Sequence, residues 1–462
     1  MQPEKTNTME SGDLRRTPGR QFAIGLVVHL IYVAVMLCAN YDSLQIGGVD
    51  PARNHWWADD RAGYIRPART FLEYGTFARM GAPDYHRTIG YPLFLATMMS
   101  IGGANWAIVT YLVQAVLLAA VYPAITVIAT ILFPSRRLAW PVFVFSLVSG
   151  CYLPYAAQML TDGLFAACFV IGVCFGLLAV TRRNWWWLLA QCASIGFAAQ
   201  VRPSLITYPI LNVVFLAYVA RREKERRRAA GAWKFILVST VMLSLLCNLP
   251  SIRNYVNYRV FLPTDILSNN CATYLAKQVL VNQGSSSEYE RMDARFHELY
   301  LQGRLKERLE LQDRFAWDVF RTHPVVTAAI YSYNAFWNLF EMHWQNVFYF
   351  YRLCWLSDDA YGRFQRSPAV FLLAMPWVVV YSGVYLLFGR FLIGLLRRKE
   401  WQGCAAFLLF VSPLLATFVA GEGARMRLPV EGLIVMCAAA ELHELIRAYR
   451  VGKAALASSG AT

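Results

Sequence analysis

The segment from Leu205 to Leu249 decides the fold, and it reads LITYPILNVVFLAYVARREKERRRAAGAWKFILVSTVMLSLLCNL. Two apolar runs, Leu205–Ala220 and Trp233–Leu249, flank a strongly basic stretch at 221–228. A helix needs about 20 mainly apolar residues to cross a bilayer, and basic residues collect in the short cytoplasmic loops of membrane proteins. The segment therefore predicts two membrane-spanning helices joined by a cytoplasmic connection.

The composition of the whole chain agrees with a membrane protein. Of its 462 residues, 57% are hydrophobic and only 16% are charged, against about 25% charged in soluble domains. These values exclude a soluble enzyme, a disordered chain and a secreted disulfide scaffold. The net charge of +15 is interpreted as a record of membrane topology, and no nucleic-acid partner is expected. Ten cysteines are present without a CxxC pair, so no zinc or thioredoxin-like site is predicted.

Apolar runs of spanning or nearly spanning length recur along the chain and predict an all-α polytopic membrane protein with about ten transmembrane helices. The predicted spans are Gln21–Tyr41, Trp106–Phe133, Leu138–Pro154, Gly163–Val180, Trp185–Ala199, Leu205–Ala220, Trp233–Leu249, Ala369–Leu396, Gly403–Val419 and Leu428–Leu445. Clusters of arginine and lysine precede the first span and follow every second one. All of these clusters lie on one side if both termini are cytoplasmic, which is the predicted orientation.

This topology divides the chain into a cytoplasmic tail, a core of seven spans, a long outer segment, three further spans and a second cytoplasmic tail. The corresponding residues are 1–20, 21–250, 251–367, 368–446 and 447–462, and the core includes a first outer loop at 42–105. Both outer segments are longer than simple connections in a compact bundle, so we expect them to carry function. No internal repeat is apparent, which argues against an inverted-repeat transporter.

The second outer segment contains a polar stretch, Glu288–Arg321, in which apolar residues recur at helical spacing. An aromatic-rich stretch follows it, and aromatic residues at that density favour the membrane–water interface. We therefore expect helices lying on the outer leaflet. Residues 325–356 leave a second interpretation open, in which they contain one more span or a re-entrant pair.

The first outer loop contains the adjacent acids Asp59 and Asp60, close to tryptophans and arginines. A carboxylate near a membrane surface can act as an acid or a base, and its neighbours set its pKa. An extended backbone would let only one of the two face a pocket. A solvated surface pair explains the same residues equally well, so the loop alone predicts a polar outer site and no specific reaction.

A set of motifs in a fixed order resembles the GT-C superfamily of membrane glycosyltransferases, which includes protein O-mannosyltransferases and the transferase that adds aminoarabinose to lipid A. An acid stands four residues before Tyr64 and eight before Ala68, shortly after the first span, and Gly90-Tyr91-Pro92-Leu93-Phe94 closes the loop after Arg87. The later motifs are Met159–Phe165, Arg202-Pro203, a polar helix ending in Arg321–Pro324, and Glu422–Pro429. The resemblance extends over roughly Gln21 to Leu445.

The resemblance implies an enzyme that transfers a sugar from a polyprenyl-phosphate carrier to an acceptor by one direct, inverting displacement. Asp60 aligns with the catalytic acid of the family and would act as the base on the acceptor, with Asp59 as the alternative. Asp162 would hold the acceptor or a metal, although it could equally cap the fourth span. Arginines would stabilise the departing phosphate, and the candidates are Arg87, Arg202, Arg425 and Arg427. The predicted residues lining the substrate are Tyr64, His86, Tyr91 and Glu431.

Several of these residues have a plainer interpretation. Arg87 could be an interfacial arginine that extends towards the headgroups, while Arg425 and Arg427 could pair with Glu422 and Glu431. Glu431 is expected to point into the bundle, as a wall of the site or as an ion-pair partner. No spacing places His86 and His343 in a metal site, so hydrogen bonding is favoured for both. Cys271 and Cys354 lie in the second outer segment and could pair in an oxidising compartment.

The predicted partners are the polyprenyl-phosphate-sugar donor, a glycan, lipid or protein acceptor and membrane lipids. No cofactor is required by the sequence, and a divalent metal stays open. A bacterial inner membrane is the expected location, with the active site on its outer face, and the chain contains no Asn-x-Ser/Thr sequon. The main alternative function is a transporter or flippase of lipid-linked envelope intermediates, which would carry ionisable residues at mid-membrane depth. A non-catalytic scaffold is a third possibility, and it predicts that Asp60 is dispensable.

Overall fold

The computed structural model describes residues 11–39, 57–79, 82–83, 86–133, 138–149, 151–224, 232–340, 368–411 and 427–459. Within these ranges the chain is almost entirely helical. The exception is a two-stranded antiparallel hairpin of β1 (Ala78–Arg79) and β2 (Ala82–Pro83). The prediction of an all-α polytopic membrane protein is therefore confirmed.

The described residues in the first half of the chain form helices α1 to α9. Their bounds are α1 Ser11–Ala39, α2 Trp57–Tyr74, α3 Gly90–Gly102, α4 Trp106–Ala119, α5 Val121–Leu132, α6 Ala139–Val148, α7 Thr161–Arg182, α8 Trp185–Val201 and α9 Tyr208–Lys224. Three 3₁₀ turns lie between them, at Gly103–Asn105, Leu153–Ala157 and Pro203–Thr207.

The second half continues with a long helix, a group of shorter helices and three further helices. They are α10 Ala232–Tyr258, α11 Ile266–Asn270, α12 Lys277–Asn282, α13 Ser286–Leu301, α14 Leu305–Thr322, α15 Pro324–Phe340, α16 Pro368–Arg397, α17 Trp401–Val411 and α18 Leu428–Ser459. A π-helical stretch, Cys271–Ala276, joins α11 to α12.

Six helical segments among the described residues are long and apolar enough to cross a membrane. They are Thr17–Cys38, Gly90–Leu132, Thr161–Arg182, Pro203–Arg221, Ala232–Tyr258 and Met375–Arg397, and each overlaps one of the predicted spans. The predicted third and fifth spans correspond to the shorter helices α6 and α8, and the ninth to α17 with part of its length outside the described residues. The last corresponds to α18, which carries several charges. The count of ten stays a prediction.

Helix α3 begins inside the predicted first outer loop and forms an antiparallel hairpin with α4. Gly103 adopts a φ of +53° between them, a backbone conformation that favours glycine. The Tyr91 hydroxyl donates to Gln114 Oε1 at 3.1 Å, and the two residues lie about equally far from this turn. Residues 90–102 are thus part of the helical bundle, since seven of the thirteen are buried.

The large hydrophobic core lies between the long helices, and a smaller one lies within the second outer segment. The long helices pack through α7 against α8, α16 against α18, and α10 against α8 and α9. In the second outer segment, α12, α13 and α14 enclose Val279, Leu280, Phe296 and Phe315. The helical structure predicted for Glu288–Arg321 is therefore present, as α13 and α14, while its position on the outer leaflet stays a prediction.

Candidate active site

Helix α2 carries the first predicted site residues, and its inner face anchors Arg87. Tyr64, Ile65 and Ala68 on this helix are buried. The Tyr64 hydroxyl accepts a hydrogen bond from Arg87 Nη1 at 2.8 Å, and the guanidinium carbon lies 4.7 Å from the centre of the Tyr64 ring. The ring also meets Tyr91 edge to face, with centroids 5.2 Å apart. Arg87 therefore has defined partners in the protein, unlike a loosely held interfacial arginine.

Asp59 and Asp60 lie in the first turn of α2, and their side chains lie outside the part of the chain that the structure describes. Residues four apart share one face of an α-helix. The backbone of α2 thus puts position 60 on the face that carries Tyr64. Position 59 is rotated about the helix axis by about 100° from position 60. The helix also removes the extended backbone considered from the sequence.

Gln114 connects this region to the turn that precedes Asp162. Its side chain is buried on α4, accepts the hydrogen bond from Tyr91, and donates through Nε2 to the carbonyl of Gln158 at 2.9 Å. The same amide lies 3.3 Å from the carbonyl oxygens of Tyr155 and Ala156. An amide that satisfies several backbone carbonyls holds the 3₁₀ turn Leu153–Ala157 and the residue after it in place within the bundle.

Asp162 forms an ion pair with Arg202. The carboxylate lies in the first turn of α7 and is buried, and Arg202 Nη1 donates to its Oδ1 at 2.6 Å. The residue at the N-cap of α7 is Leu160, and no side chain caps the helix there. The capping interpretation of Asp162 is therefore wrong, because its side chain is committed to Arg202. The guanidinium carbon of Arg202 also lies 5.7 Å from the centre of the Phe165 ring.

The two arginines Arg87 and Arg202 lie on segments that touch each other. Thr88 Oγ1 donates to the carbonyl of Val201 at 2.9 Å, and this hydrogen bond is buried. A Cβ atom on the neighbouring Gly90 would lie 2.4 Å from the carbonyl carbon of Gln200. Only a glycine permits this approach, so the start of α3 packs directly on the C-terminal end of α8. One end of the bundle thereby gathers Tyr64, Arg87, Tyr91, Asp162 and Arg202.

His86 is held by residues that the sequence did not identify as functional. Its Nδ1 lies 2.6 Å from Oδ1 of Asp265, whose side chain is fully buried, and Arg308 Nη1 lies 3.3 Å from Oδ2 of the same carboxylate. Burial alone would raise the pKa of Asp265, but the contacts with His86 and Arg308 hold it below its ordinary value. Asn269 Oδ1 accepts from both Arg308 and Gln312, each at 3.1 Å.

No local pattern in the sequence indicates these contacts. Thr264-Asp265 before an apolar stretch is typical of a helix start, which says nothing about a partner elsewhere in the chain. Arg253 is a further residue that the sequence did not single out. Its Nη2 lies 3.4 Å from the carbonyl oxygen of Arg87. Asp265 joins the second outer segment to His86, and Arg253 joins α10 to Arg87.

Arg427 and Glu431 form a closed, buried cluster. Arg427 Nε donates to Glu431 Oε2 at 3.0 Å, and its Nη1 donates to the backbone carbonyls of Asn338 and Leu339 at 2.8 and 2.6 Å. Tyr381 donates its hydroxyl to Glu431, and its ring lies under the guanidinium at 4.3 Å. This geometry favours the ion-pair interpretation of both residues, with Arg427 joining the end of α15 to the start of α18.

The remaining predicted residues lie outside the described part of the chain. They are Arg425, Glu422, His343 and Cys354, so the phosphate role of Arg425 and the pairing of Cys271 with Cys354 stay predictions. Among the residues that the structure describes, no group of three or more His, Cys, Asp or Glu side chains could hold a metal ion.

Comparison with known proteins gives a distant similarity of fold. The chain is similar to the archaeal oligosaccharyltransferase AglB from Archaeoglobus fulgidus, whose structure contains an inhibitory peptide and a dolichol-phosphate, with a TM-score of 0.48 and 12% identity over 93% of this chain and 52% of that one. The apo form of the Archaeoglobus fulgidus oligosaccharyltransferase gives a TM-score of 0.46, again at 12% identity, over 94% and 52% of the two chains. The chain thus spans about half the length of these proteins. No family profile matches, and no curated protein matches.

Proposed function

We propose that this multi-pass membrane protein is a GT-C-type glycosyltransferase. It transfers a sugar from a polyprenyl-phosphate donor to an envelope glycan, glycolipid or protein on the outer face of the membrane. The observation that carries this proposal is the buried hydrogen bond from Thr88 to Val201, which brings Arg87 and Arg202 onto adjoining segments beside α2. Two guanidinium groups at one end of a membrane bundle suit the phosphate of a lipid-linked substrate.

The arginines would act on the bond that breaks. When the anomeric carbon leaves the phosphate, negative charge develops on the phosphate oxygen, and cations that are already in position stabilise it. Buried or partly buried groups hold both cations: Tyr64 accepts from Arg87, and Asp162 accepts from Arg202. The energetic cost of orienting these guanidinium groups is thus met during folding, before the donor binds.

The base would be Asp60, which takes the proton of the acceptor hydroxyl or amine as the new glycosidic bond forms. The helical backbone of α2 supports this role, because position 60 shares a face with Tyr64 and hence with Arg87. Position 59 lies off that face, which makes Asp59 the weaker candidate. In this proposal, Asp162 acts by orienting Arg202, and Tyr91 holds the Tyr64 ring.

Purified protein in nanodiscs tests the reaction directly. It would be incubated with short-chain polyprenyl phosphates that carry different labelled sugars and with an extract of envelope glycans and glycolipids as the acceptor. Release of polyprenyl phosphate and labelling of the acceptor would be followed with wild type, Asp60→Asn and the matched variant Asp59→Asn. We expect wild type to consume one class of donor and Asp60→Asn to lose about 100-fold or more in rate, while Asp59→Asn keeps most of it. Equal rates for Asp60→Asn and wild type would remove Asp60 as the base.

A further inference from the structure

Arg390 lies on an exposed, otherwise apolar face of α16. Val379, Leu386 and Ile393 are exposed and recur every seven residues, a spacing of nearly two helical turns that puts them on one face. Arg390 follows Leu386 by four residues and precedes Ile393 by three, so it shares this face, and 58% of its side chain is exposed. Because Met375–Arg397 is long and apolar enough to cross a membrane, this face is one that lipid would cover.

Two contacts align α16 with α18 and give the position of Arg390 along the bundle. The Tyr381 hydroxyl donates to Glu431, and Arg390 Nε donates to Glu441 Oε1 at 2.8 Å. The contacts are nine residues apart on α16 and ten residues apart on α18, so the two helices run side by side in the same direction. Arg390 thus lies about 14 Å along the helix from the buried cluster of Arg427 and Glu431, towards the end predicted to be cytoplasmic and away from the candidate active site.

The guanidinium of Arg390 is only partly satisfied by Glu441. In the described part of the chain, this carboxylate is its one hydrogen-bond or ion-pair partner, and it engages Nε. Charged side chains within membrane spans usually face the bundle interior or a water-filled cavity, because facing hydrocarbon is costly. The remaining N–H groups are on Nη1 and Nη2, and they form a fork that matches the oxygens of a phosphate.

A second arginine lies on the same face, where α16 ends. Arg397 follows Arg390 by seven residues, about 10 Å along the helix, and its side chain is exposed. The neighbouring Arg398 is engaged differently, since its Nε lies 3.1 Å from Oε1 of Glu400. Arg390 and Arg397 with the one carboxylate of Glu441 give the site a net charge of about +1 at neutral pH, which is complementary to a ligand with a single negative charge.

We propose that Arg390 and Arg397 bind the headgroup of an anionic phospholipid, in the leaflet that faces the cytoplasm in the predicted topology. The phosphate accepts hydrogen bonds from Nη1 and Nη2 of Arg390 and from the guanidinium of Arg397. The acyl chains extend from there towards the middle of the bilayer, along Leu386 and Val379. The headgroup replaces the water that the Arg390 guanidinium cannot reach at this depth. This inference does not depend on the proposed function.

Native mass spectrometry of the full-length protein in detergent tests this site. The protein would be titrated with phosphatidylglycerol, which carries one negative charge, or with phosphatidylcholine of the same acyl chains, whose phosphate is balanced by its choline. Wild type should bind the first phosphatidylglycerol about tenfold more tightly than the first phosphatidylcholine, which is the effect of one charge-assisted contact.

Substitutions of neighbouring arginines separate a defined site from general attraction to positive charge. In Arg390→Gln and in Arg397→Gln the net charge of the site falls to zero, so the ratio of the two affinities should fall to about one. Arg398→Gln is the matched control, because it removes the same charge from a residue that faces Glu400, and it should keep the tenfold ratio of wild type. Arg397→Gln leaves the contact between Arg390 and Glu441 intact, so it tests the site even if Arg390→Gln does not fold.

Three results would overturn the proposal. Equal affinities of wild type for the two lipids would exclude a site for an anionic headgroup, and a folded arginine variant that keeps the wild-type ratio would remove that arginine from it. Loss of the ratio in Arg398→Gln as well would mean that total charge, and no particular site, attracts the lipid. The same spectra identify a second copy of the chain on this face, as a dimer that Arg390→Gln dissociates while the lipid ratio stays unchanged, which would also contradict lipid binding by Arg390.

Discussion

At the scale of single residues, the site depends on ion pairs between groups far apart in sequence. Asp162 is buried with its carboxylate 2.6 Å from Arg202. Removing one partner of such a pair leaves the other charge in a poorly solvated place, which costs more than the pair itself contributes. Asp162 is therefore expected to fix the position of Arg202 and to offset the cost of placing its charge there.

A double-mutant cycle of Asp162→Asn and Arg202→Gln tests this dependence. Each single change should lower the free energy of unfolding by about 3 kcal/mol, and the double variant should lose markedly less than the sum of the two. Thermal or denaturant unfolding in detergent gives the coupling energy. Additive effects would mean that the two side chains do not depend on each other.

The lowered pKa of Asp265 predicts how the free energy of unfolding changes at acidic pH. Its pKa in the folded protein lies below its ordinary value, which is about 3.9 in an unfolded chain. The folded state thus binds this proton less readily than the unfolded state, so the stabilisation is complete above about pH 4 and is lost as the pH falls further. The acid limb of the unfolding free energy should be steeper in wild type than in Asp265→Asn, and identical limbs would contradict this.

Some residues of the site could be predicted from the sequence and others could not, because only the first group belongs to local motifs. Tyr64, Arg87, Tyr91, Asp162 and Arg202 belong to short motifs, and the structure brings these motifs to one end of the bundle. The contacts of Asp265, Gln114 and Arg308 depend on packing between segments that are distant in sequence, which no local pattern records.

At the scale of elements, the junction between α3 and α8 connects the two arginine-bearing segments. Gly90→Ala would put a Cβ atom 2.4 Å from the backbone of Gln200. Because backbone cannot give way as a side chain can, α3 must shift, at an expected cost of about 1–3 kcal/mol. Activity should fall with stability, since the segment with Arg87 moves away from Arg202. Unfolding and donor consumption measure the two effects.

Gly383→Ala is the control for this substitution. Gly383 lies within α16, and no atom of the described residues comes within 4 Å of the place that a Cβ would take. Alanine should therefore be neutral or slightly stabilising at this helical position. If Gly383→Ala lowers the free energy of unfolding as much as Gly90→Ala does, the close approach at Gly90 is not the cause of the destabilisation.

Hydrophobic runs predicted most helices well, because a span needs a long apolar segment and leaves a clear record. Helix α3 was missed as an element, since its thirteen residues are too few for a span and begin with a Gly-Tyr-Pro motif that was assigned to a loop. Its hairpin with α4 depends on a glycine turn and on the contact from Tyr91 to Gln114. Length alone could not identify it.

At the scale of the whole molecule, the charge pattern predicts that the basic clusters and the second outer segment lie on opposite sides of the membrane. Lys306 and Glu310 are exposed on α14, and Lys453 is exposed on α18. Single cysteines at Lys306 and at Lys453 should react with a membrane-impermeant reagent from opposite sides of intact cells or oriented vesicles. Labelling of both from the same side would contradict the predicted topology and the outer position of the site.

In the proposed reaction, the site that contains Arg87 and Arg202 transfers a sugar with Asp60 as its base. The most direct test compares the envelope glycolipids and polysaccharides of a deletion strain by mass spectrometry, after complementation with wild type, Asp60→Asn or Asp59→Asn. We predict that the deletion lacks the mass of one sugar residue, and that wild type and Asp59→Asn restore it while Asp60→Asn does not. Restoration by Asp60→Asn to the level of wild type would contradict the catalytic assignment and favour a flippase or a scaffold.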